Sequence, residues 1–287
     1  RVSRLKPKNG FPGFPGAGEL GRIGDPAGTE AMAETMGRLL AELGINCNLA
    51  PVVDVDVNPE NPAIGKLGRS FSADPGEVVK QARAFIRGMD KAGVLTCLKH
   101  FPGHGSAFND SHLGLTDISD TWSERELIPF RELIRAGLGD LVMTGHLFNA
   151  RLDPEYPATL SASSIDGLLR QKLGFSGVVI SDDLQMKAIS EHYGLKETLK
   201  RSIQAGVDIL LFGNNLEYDP KIAEKVLDLI QEMVAAGEIE PARIYRSYER
   251  IMGLKSKIFH LLSGSARRSG LTGDAQCPCR NSQDGHR

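Results

Sequence analysis

The sequence predicts an α/β protein built as a (β/α)8 TIM-type barrel, and three observations carry that expectation. From about residue 27 onward, amphipathic stretches of helical period alternate with short apolar, β-rich runs, the pattern of βα units around a parallel sheet. Each apolar run turns polar at its C-terminal end: Asp54 and Asp56, then Lys99 and His100, then His146, then Asp182 and Asp183. In such a barrel the C-terminal strand ends and the loops after them build the active site, so these side chains read as one shared pocket. A doubly wound open sheet also places ligands there and stands as the structural alternative. It is weakened because Gly10-Phe11-Pro12-Gly13-Phe14-Pro15-Gly16 is interrupted by Pro and follows no strand, unlike a phosphate-binding loop.

The elements follow in order. Strand candidates are 45–55, 94–101, 140–147, 177–184 and 207–213. Helical periodicity covers 29–43, 75–92, 123–136, 163–173 and 195–205 between them, with further helices at 220–236 and 241–262. Pro75, Pro220 and Pro241 suit first-turn positions, and the glycines at 44, 93, 137, 174 and 206 each follow a helical run, as residues that end helices do. Residues 1–262 therefore read as one barrel domain and 263–287, polar and aperiodic, as a disordered tail. Five strand candidates fall short of the eight of a closed barrel, so the chain reads as lacking N-terminal strands.

Composition narrows the function classes. Of 287 residues 41% are hydrophobic and 24% charged, which excludes a disordered chain. With 34 Lys and Arg against 36 Asp and Glu, no whole-protein field attracts nucleic acid or an anionic membrane. No apolar run is long enough to span a bilayer. Cys47 and Cys97 sit in apolar runs and Cys277 and Cys279 in a polar stretch, usage that suits a reducing compartment; a cytoplasmic monomer is expected.

The densest polar cluster is Lys99-His100-Phe101-Pro102-Gly103-His104-Gly105, followed by Asp110-Ser111-His112, a loop after a strand. Asp110 and His112 are one residue apart, so in an extended segment both side chains leave on the same side. A carboxylate on one imidazole nitrogen fixes the tautomer and leaves the other nitrogen for substrate, which makes His112 a general acid/base candidate. Adjacent acids ending an apolar strand, Asp182 and Asp183, are costly unless paired, hydrated or used, and alternation lets only one face a pocket. Which one is left open by the residues themselves, since either acid also suits a helix cap. Asp54 and Asp56 read equally well as residues that only turn the chain, and Arg69 as a surface ion pair. Lys99 is harder to set aside in an apolar strand. A metal held by His100, His104, Asp110, His112 or His146 finds no supporting spacing, so neither metal nor cofactor is expected.

Several ordered motifs together resemble glycoside hydrolase family 3, specifically its bacterial β-N-acetylglucosaminidases: Asn48-Leu49-Ala50-Pro51-Val52-Val53-Asp54-Val55, Gly68-Arg69-Ser70-Phe71, the 99–105 loop with Asp110-Ser111-His112, Met143-Thr144-Gly145-His146, Pro157-Ala158-Thr159-Leu160-Ser161 and Ser181-Asp182-Asp183-Leu184-Gln185-Met186. The resemblance implies Asp182 as catalytic nucleophile, Asp183 as a supporting residue, and His112 as acid/base with Asp110 as its partner. It implies substrate contacts from Arg4, Arg69, Lys99 and His100, with His146 lining the pocket. It also implies a retaining exo-β-N-acetylglucosaminidase acting on peptidoglycan-derived muropeptides or related glycosides, as in peptidoglycan recycling, through a glycosyl-aspartate. A β-N-acetylglucosaminide phosphorylase and a noncatalytic sugar-binding barrel are the alternatives. The family's remaining three strands, and an Asp that grips sugar hydroxyls, would precede Arg1, so residues 1–287 alone are expected to fold poorly or to be inactive.

Overall fold

A computed structural model describes residues 5–110, 114, 116–215 and 218–268, the last ten of these as backbone only. In chain order the elements are α1 (Ala17–Ile23), α2 (Pro26–Glu42), β1 (Cys47–Asn48), α3 (Pro75–Lys91), β2 (Leu95–Phe101), β3 (Thr116–Asp117), α4 (Ile128–Arg135), β4 (Leu141–Thr144) and β5 (Leu147–Phe148). A π-helical segment, Ser163–Lys172, leads into β6 (Val178–Ser181), α5 (Lys187–Ser190), α6 (Leu195–Ala205), α7 (Ile222–Ala235) and α8 (Pro241–Arg268).

Strands β1, β2, β4 and β6 form one parallel sheet in that order, and an isolated parallel bridge from Ile180 to Ile209 adds the next position. Each unit is laid beside the one before it. A doubly wound sheet reverses direction at a switch point, and this order never does, which is the order of a barrel.

Two of the five strand runs are less regular than their sequences suggest. The 45–55 run is a strand only at Cys47–Asn48 and then touches β2 again through the Val52–Lys99 bridge. Between them stands Pro51, whose peptide bond with Ala50 is cis and whose nitrogen has no hydrogen to donate to a ladder. The 207–213 run pairs through side chains as much as backbone. Asp208 Oδ2 accepts from Val179 N at 3.0 Å and Ser181 Oγ accepts from Leu211 N at 2.9 Å, displacing main-chain partners.

Helix starts follow local chemistry. Asp25 and Asp74 each cap the helix whose first residue is Pro26 or Pro75, accepting from Ala27 N at 3.0 Å and Gly76 N at 2.8 Å. Pro220 stands two residues ahead of α7, outside it. The glycines at 44, 93, 137, 174 and 206 all have positive φ, as helix-ending residues require. α8 continues to Arg268, past the sequence-based end at 262, because a single Gly such as Gly264 costs a helix only about 1 kcal/mol and no Pro stands between 262 and 268.

Alternation divides the sheet into two packing layers. Leu98, Val142 and Val179 join Phe85, Met89, Phe130 and Ile165 in the core between sheet and surrounding helices. Their neighbours Leu95, Cys97, Leu141, Met143, Val178 and Ile180 form a second cluster, with Ile251, Leu254 and Ile258 of α8 packed against it. The second set faces the barrel axis.

Candidate active site

Continuing that inward set along each strand leads straight to polar groups. After Leu95 and Cys97 comes Lys99; after Val178 and Ile180 comes Asp182, whose N–H still donates to Thr144 O of β4 at 3.1 Å. Alternation therefore settles what the sequence left open between the two acids.

Asp182 accepts from Asp183 N at 2.9 Å. Burial alone would raise its pKa, but His100, His146, that N–H and Lys99 outweigh burial and hold it below the ordinary carboxylate value. It is an ionised carboxylate at the end of the inward apolar layer. Asp183 is occupied differently: Oδ1 accepts from Gln185 N at 3.1 Å and Gly213 N at 3.0 Å, tying two strand-end loops together.

Asp54 is the deepest charge in the site, fully buried. Its Oδ1 accepts from the backbone N–H of His100 at 3.1 Å and of His104 at 2.8 Å, and its Oδ2 from His100 Nδ1 at 2.7 Å. Burial works against ionisation, yet the His100 imidazole and these hydrogen bonds win and bring the carboxyl down to about 2. A carboxylate only accepts, so His100 carries its proton on Nδ1. Nε2 then faces Arg69 Nη2 at 3.4 Å, while Arg69 Nη1 donates to Ala63 O at 2.9 Å. Lys99 lies beside this pair, and burial followed by Arg69 lowers its pKa. His146, fully buried, donates from Nε2 to Asp183 O at 2.9 Å and is paired through Nδ1 with Thr159 Oγ1 at 2.8 Å. Thr159 Oγ1 in turn meets Thr144 Oγ1 at 2.9 Å.

The loop after β2 is fixed at its root. Asn61 Nδ2 donates to His104 O at 2.7 Å, Asn58 Nδ2 donates to Ala107 O at 3.1 Å, and Glu126 Oε2 accepts from Gly105 N at 2.8 Å and Ser106 N at 3.2 Å. Asp110 is buried further along this loop, and β3 re-anchors the chain by pairing Thr116 with Leu147.

Of the sequence-derived site residues, the structure gathers Asp182, Lys99, His100, Arg69 and His146 into one interacting set and buries Asp110 on the adjoining loop. Arg4 and His112 lie outside the described residues. Glu126 and Thr159 have a part in the site and were not singled out from sequence, while Asp54 read both as part of the shared pocket and as a residue that only turns the chain. Asp54 anchors His100 rather than merely turning the chain, and its position at the end of an apolar run was the available signal. Glu126 stands four residues before Phe130 and seven before Leu133, on the apolar face of its helical stretch, where an acid is out of place. Thr159 had no signal beyond its place in the Pro157–Ser161 motif.

A cleft of about 380 Å³ opens beside the Asp182 and Asp183 loop, lined by Gln185, Tyr193, Phe212, Tyr218 and Asp219 among others.

The arrangement is an ionised carboxylate at a strand end, ringed by imidazole, ammonium and guanidinium groups, a set suited to a neutral, hydroxyl-rich ligand and to a reaction that develops positive charge beside the carboxylate. Known proteins resemble the chain over most of its length. The mycobacterial beta-hexosaminidase LpqI of Mycobacterium tuberculosis is 39% identical over 264 residues, which cover 89% of this chain and 65% of that protein. A beta-hexosaminidase of Tolumonas auensis is 40% identical over 75% of this chain and 64% of its own length. The solved glycoside hydrolase family 3 β-N-acetylglucosaminidase of Paenibacillus sp. superposes with a TM-score of 0.83 at 38% identity, over 90% of this chain and 48% of that one. The chain thus spans under two thirds of the length of each of these relatives. The profile of the glycosyl hydrolase family 3 N-terminal domain matches residues 1–254, and with that match and those relatives the chain belongs to glycosyl hydrolase family 3.

Proposed function

We propose that the protein carrying this chain is a retaining exo-β-N-acetylglucosaminidase that releases terminal N-acetylglucosamine from peptidoglycan fragments or related small glycosides. The observation that carries the reading is Asp182: an ionised carboxylate on the inward side of β6, facing His100, His146 and Lys99. The relatives are named beta-hexosaminidases and β-N-acetylglucosaminidases, which supports the sugar class.

In this reading Asp182 attacks the anomeric carbon while His112, partnered by Asp110, protonates the departing glycosidic oxygen; the products of the step are a glycosyl-aspartate and the free alcohol. His112 then takes a proton from water, whose oxygen attacks the same carbon and releases Asp182. An imidazole titrates near neutrality without large tuning, which suits a group that must give and then take a proton. Arg4, Arg69, Lys99 and His100 hold the sugar hydroxyls and amide, and His146, locked between Thr159 and Asp183, shapes the pocket behind the carboxylate. A small carbohydrate is the only partner the reaction needs, no cofactor takes part, and we place it in the cytoplasm acting as a monomer.

The test uses the full-length gene product with an aryl N-acetyl-β-glucosaminide, with and without inorganic phosphate. Release of free N-acetylglucosamine in both conditions is expected, with kcat lowered on the order of 10³-fold or more in Asp182→Ala. A sugar 1-phosphate product would replace hydrolysis with phosphorolysis. Full activity in Asp182→Ala would remove the reading.

A further inference from the structure

Several buried carboxyls have no part in the chemistry just described, Asp208 among them, and one of these lies against the loop that leaves β2. Glu126 belongs to the short turn of helix ahead of α4, is fully buried, and lies under the loop that leaves β2. We propose that Glu126 is a positioning residue for the acid/base loop: its carboxyl fixes the backbone of Gly105 and Ser106, and through them holds Asp110 at the far end of the same loop. The inference rests on the functional reading above.

Two buried carboxylates share the task of receiving this loop's amides. Asp54 takes the N–H groups of His100 and His104, and Glu126 takes the next two, those of Gly105 at 2.8 Å and Ser106 at 3.2 Å. From the opposite side Asn61 donates to the carbonyls of His104 and Gly105, and Asn58 N donates to Gly105 O at 3.1 Å. Gly105 is thus held by both its peptide groups.

The fit is steric as well as polar. A Cβ on Gly103, whose φ is +120°, would meet Glu126 Cβ at 2.6 Å, and a Cβ on Gly105 would meet Val55 O at 1.6 Å. Only glycine lets the loop settle onto Glu126 and the 49–55 segment.

A carboxyl is a costly way to satisfy two amides. Burial, with the nearby Asp54 charge adding to it against the hydrogen bonds from Ser106 and Gly105, pushes Glu126 up to about 7. Its Oε1 makes no hydrogen bond among the described residues. A neutral amide would supply the same acceptor without a buried charge. Oε2 accepts both amides whether or not the other oxygen carries a proton, so the carboxyl holds the loop root on either side of about 7. The charged group facing it is Asp54 from the 49–56 segment, which is itself bonded to the His100 ring and to the backbone N–H of His104, whose buried ring is lowered to about 4.

The leaving group separates positioning from general structural support. In the full-length gene product, kcat is compared on a phenyl N-acetyl-β-glucosaminide, which needs its leaving oxygen protonated, and on the 2,4-dinitrophenyl glycoside, which does not. Glu126→Asp withdraws the acceptor by one methylene and is expected to lower kcat on the phenyl substrate by about tenfold more than on the dinitrophenyl one, with KM little changed, because proper acid assistance is worth about 10²-fold or more. Glu126→Gln keeps an acceptor and should restore most of the phenyl activity while removing any pH inflection near 7 that Glu126 contributes. Equal losses on both substrates in a variant that still unfolds cooperatively would overturn the inference, as would no loss at all in Glu126→Asp. A parent protein inactive on both glycosides would bring down the functional reading itself.

Discussion

Asp54 carries more of the site's architecture than any other side chain. It is fully buried, accepts three hydrogen bonds, and orders both the His100 ring and the backbone where the loop begins. Removing one member of such a buried, charge-paired group leaves its partners unsatisfied, so Asp54→Ala is expected to cost about 3–5 kcal/mol in urea unfolding. The acid dependence has a definite sign. Its pKa is depressed on folding to about 2, so this contribution is present above the ordinary carboxylate range and is lost as pH falls toward 2. A variant as stable as the parent at neutral pH would contradict the role. At this scale the sequence was legible where a residue's chemistry is costly: Lys99 in an apolar strand announced itself, and Asp182 and Asp183 did so as a pair that the residues alone could not separate. Asp54 read two ways, because an acid near Pro and Asn also suits a turn, and Glu126 went unread because an acid in a helix start reads as a dipole partner. Only tertiary packing, which brings residues 54, 100 and 126 around one loop, distinguishes the two uses.

At the scale of elements, the two ends of the barrel strands have separate duties. The C-terminal ends hold the site. At the opposite end Asp208, fully buried, receives Arg170 at 2.8 Å, Arg250 at 3.1 Å, Arg243 at 3.5 Å and Ser247 Oγ at 2.6 Å, joining the π-helical segment and α8 to the strand following α6. Lys257 of α8 also reaches Asp140, just ahead of β4. Asp208→Ala strands three arginines and is expected to lower stability by about 3 kcal/mol or more, while KM and kcat on an aryl glycoside stay within about twofold. A large rise in KM with unchanged stability would show that the two ends are not independent. Helices were the most legible elements: the 195–205 periodicity coincides with α6, and 75–92 with α3, because apolar face and following glycine agree in both, with Pro75 at the first turn of α3 as well. Strands were legible in number but not in extent. Pro51, with no N–H to donate, and the side-chain substitutions by Asp208 and Ser181 break ladders in ways that apolar runs do not signal.

For the whole molecule, buried acids set how stability responds to pH. Glu126 is raised to about 7 and Asp90 to about 6, the latter by burial first and by Asp140 second. Groups raised on folding contribute stability that is full below their ordinary values and lost as pH rises through the folded ones. The protein should therefore lose stability between pH 5 and pH 8 from these two residues, and Glu126→Gln should flatten that slope in urea unfolding at the two pH values. An unchanged slope would mean that Glu126 does not titrate in this window. The sequential sheet order and the inward apolar layer lead to polar strand ends, and Asp182 stands among them, facing His100, His146 and Lys99.

The most direct measurement is therefore a trapping experiment on the full-length gene product: rapid acid quench during turnover of a dinitrophenyl N-acetyl-β-glucosaminide, followed by peptide mass spectrometry. The expected result is an N-acetylhexosaminyl adduct on the peptide holding Asp182, absent in Asp182→Ala. Undiminished turnover in Asp182→Ala, or an adduct on a different carboxylate, would contradict the account.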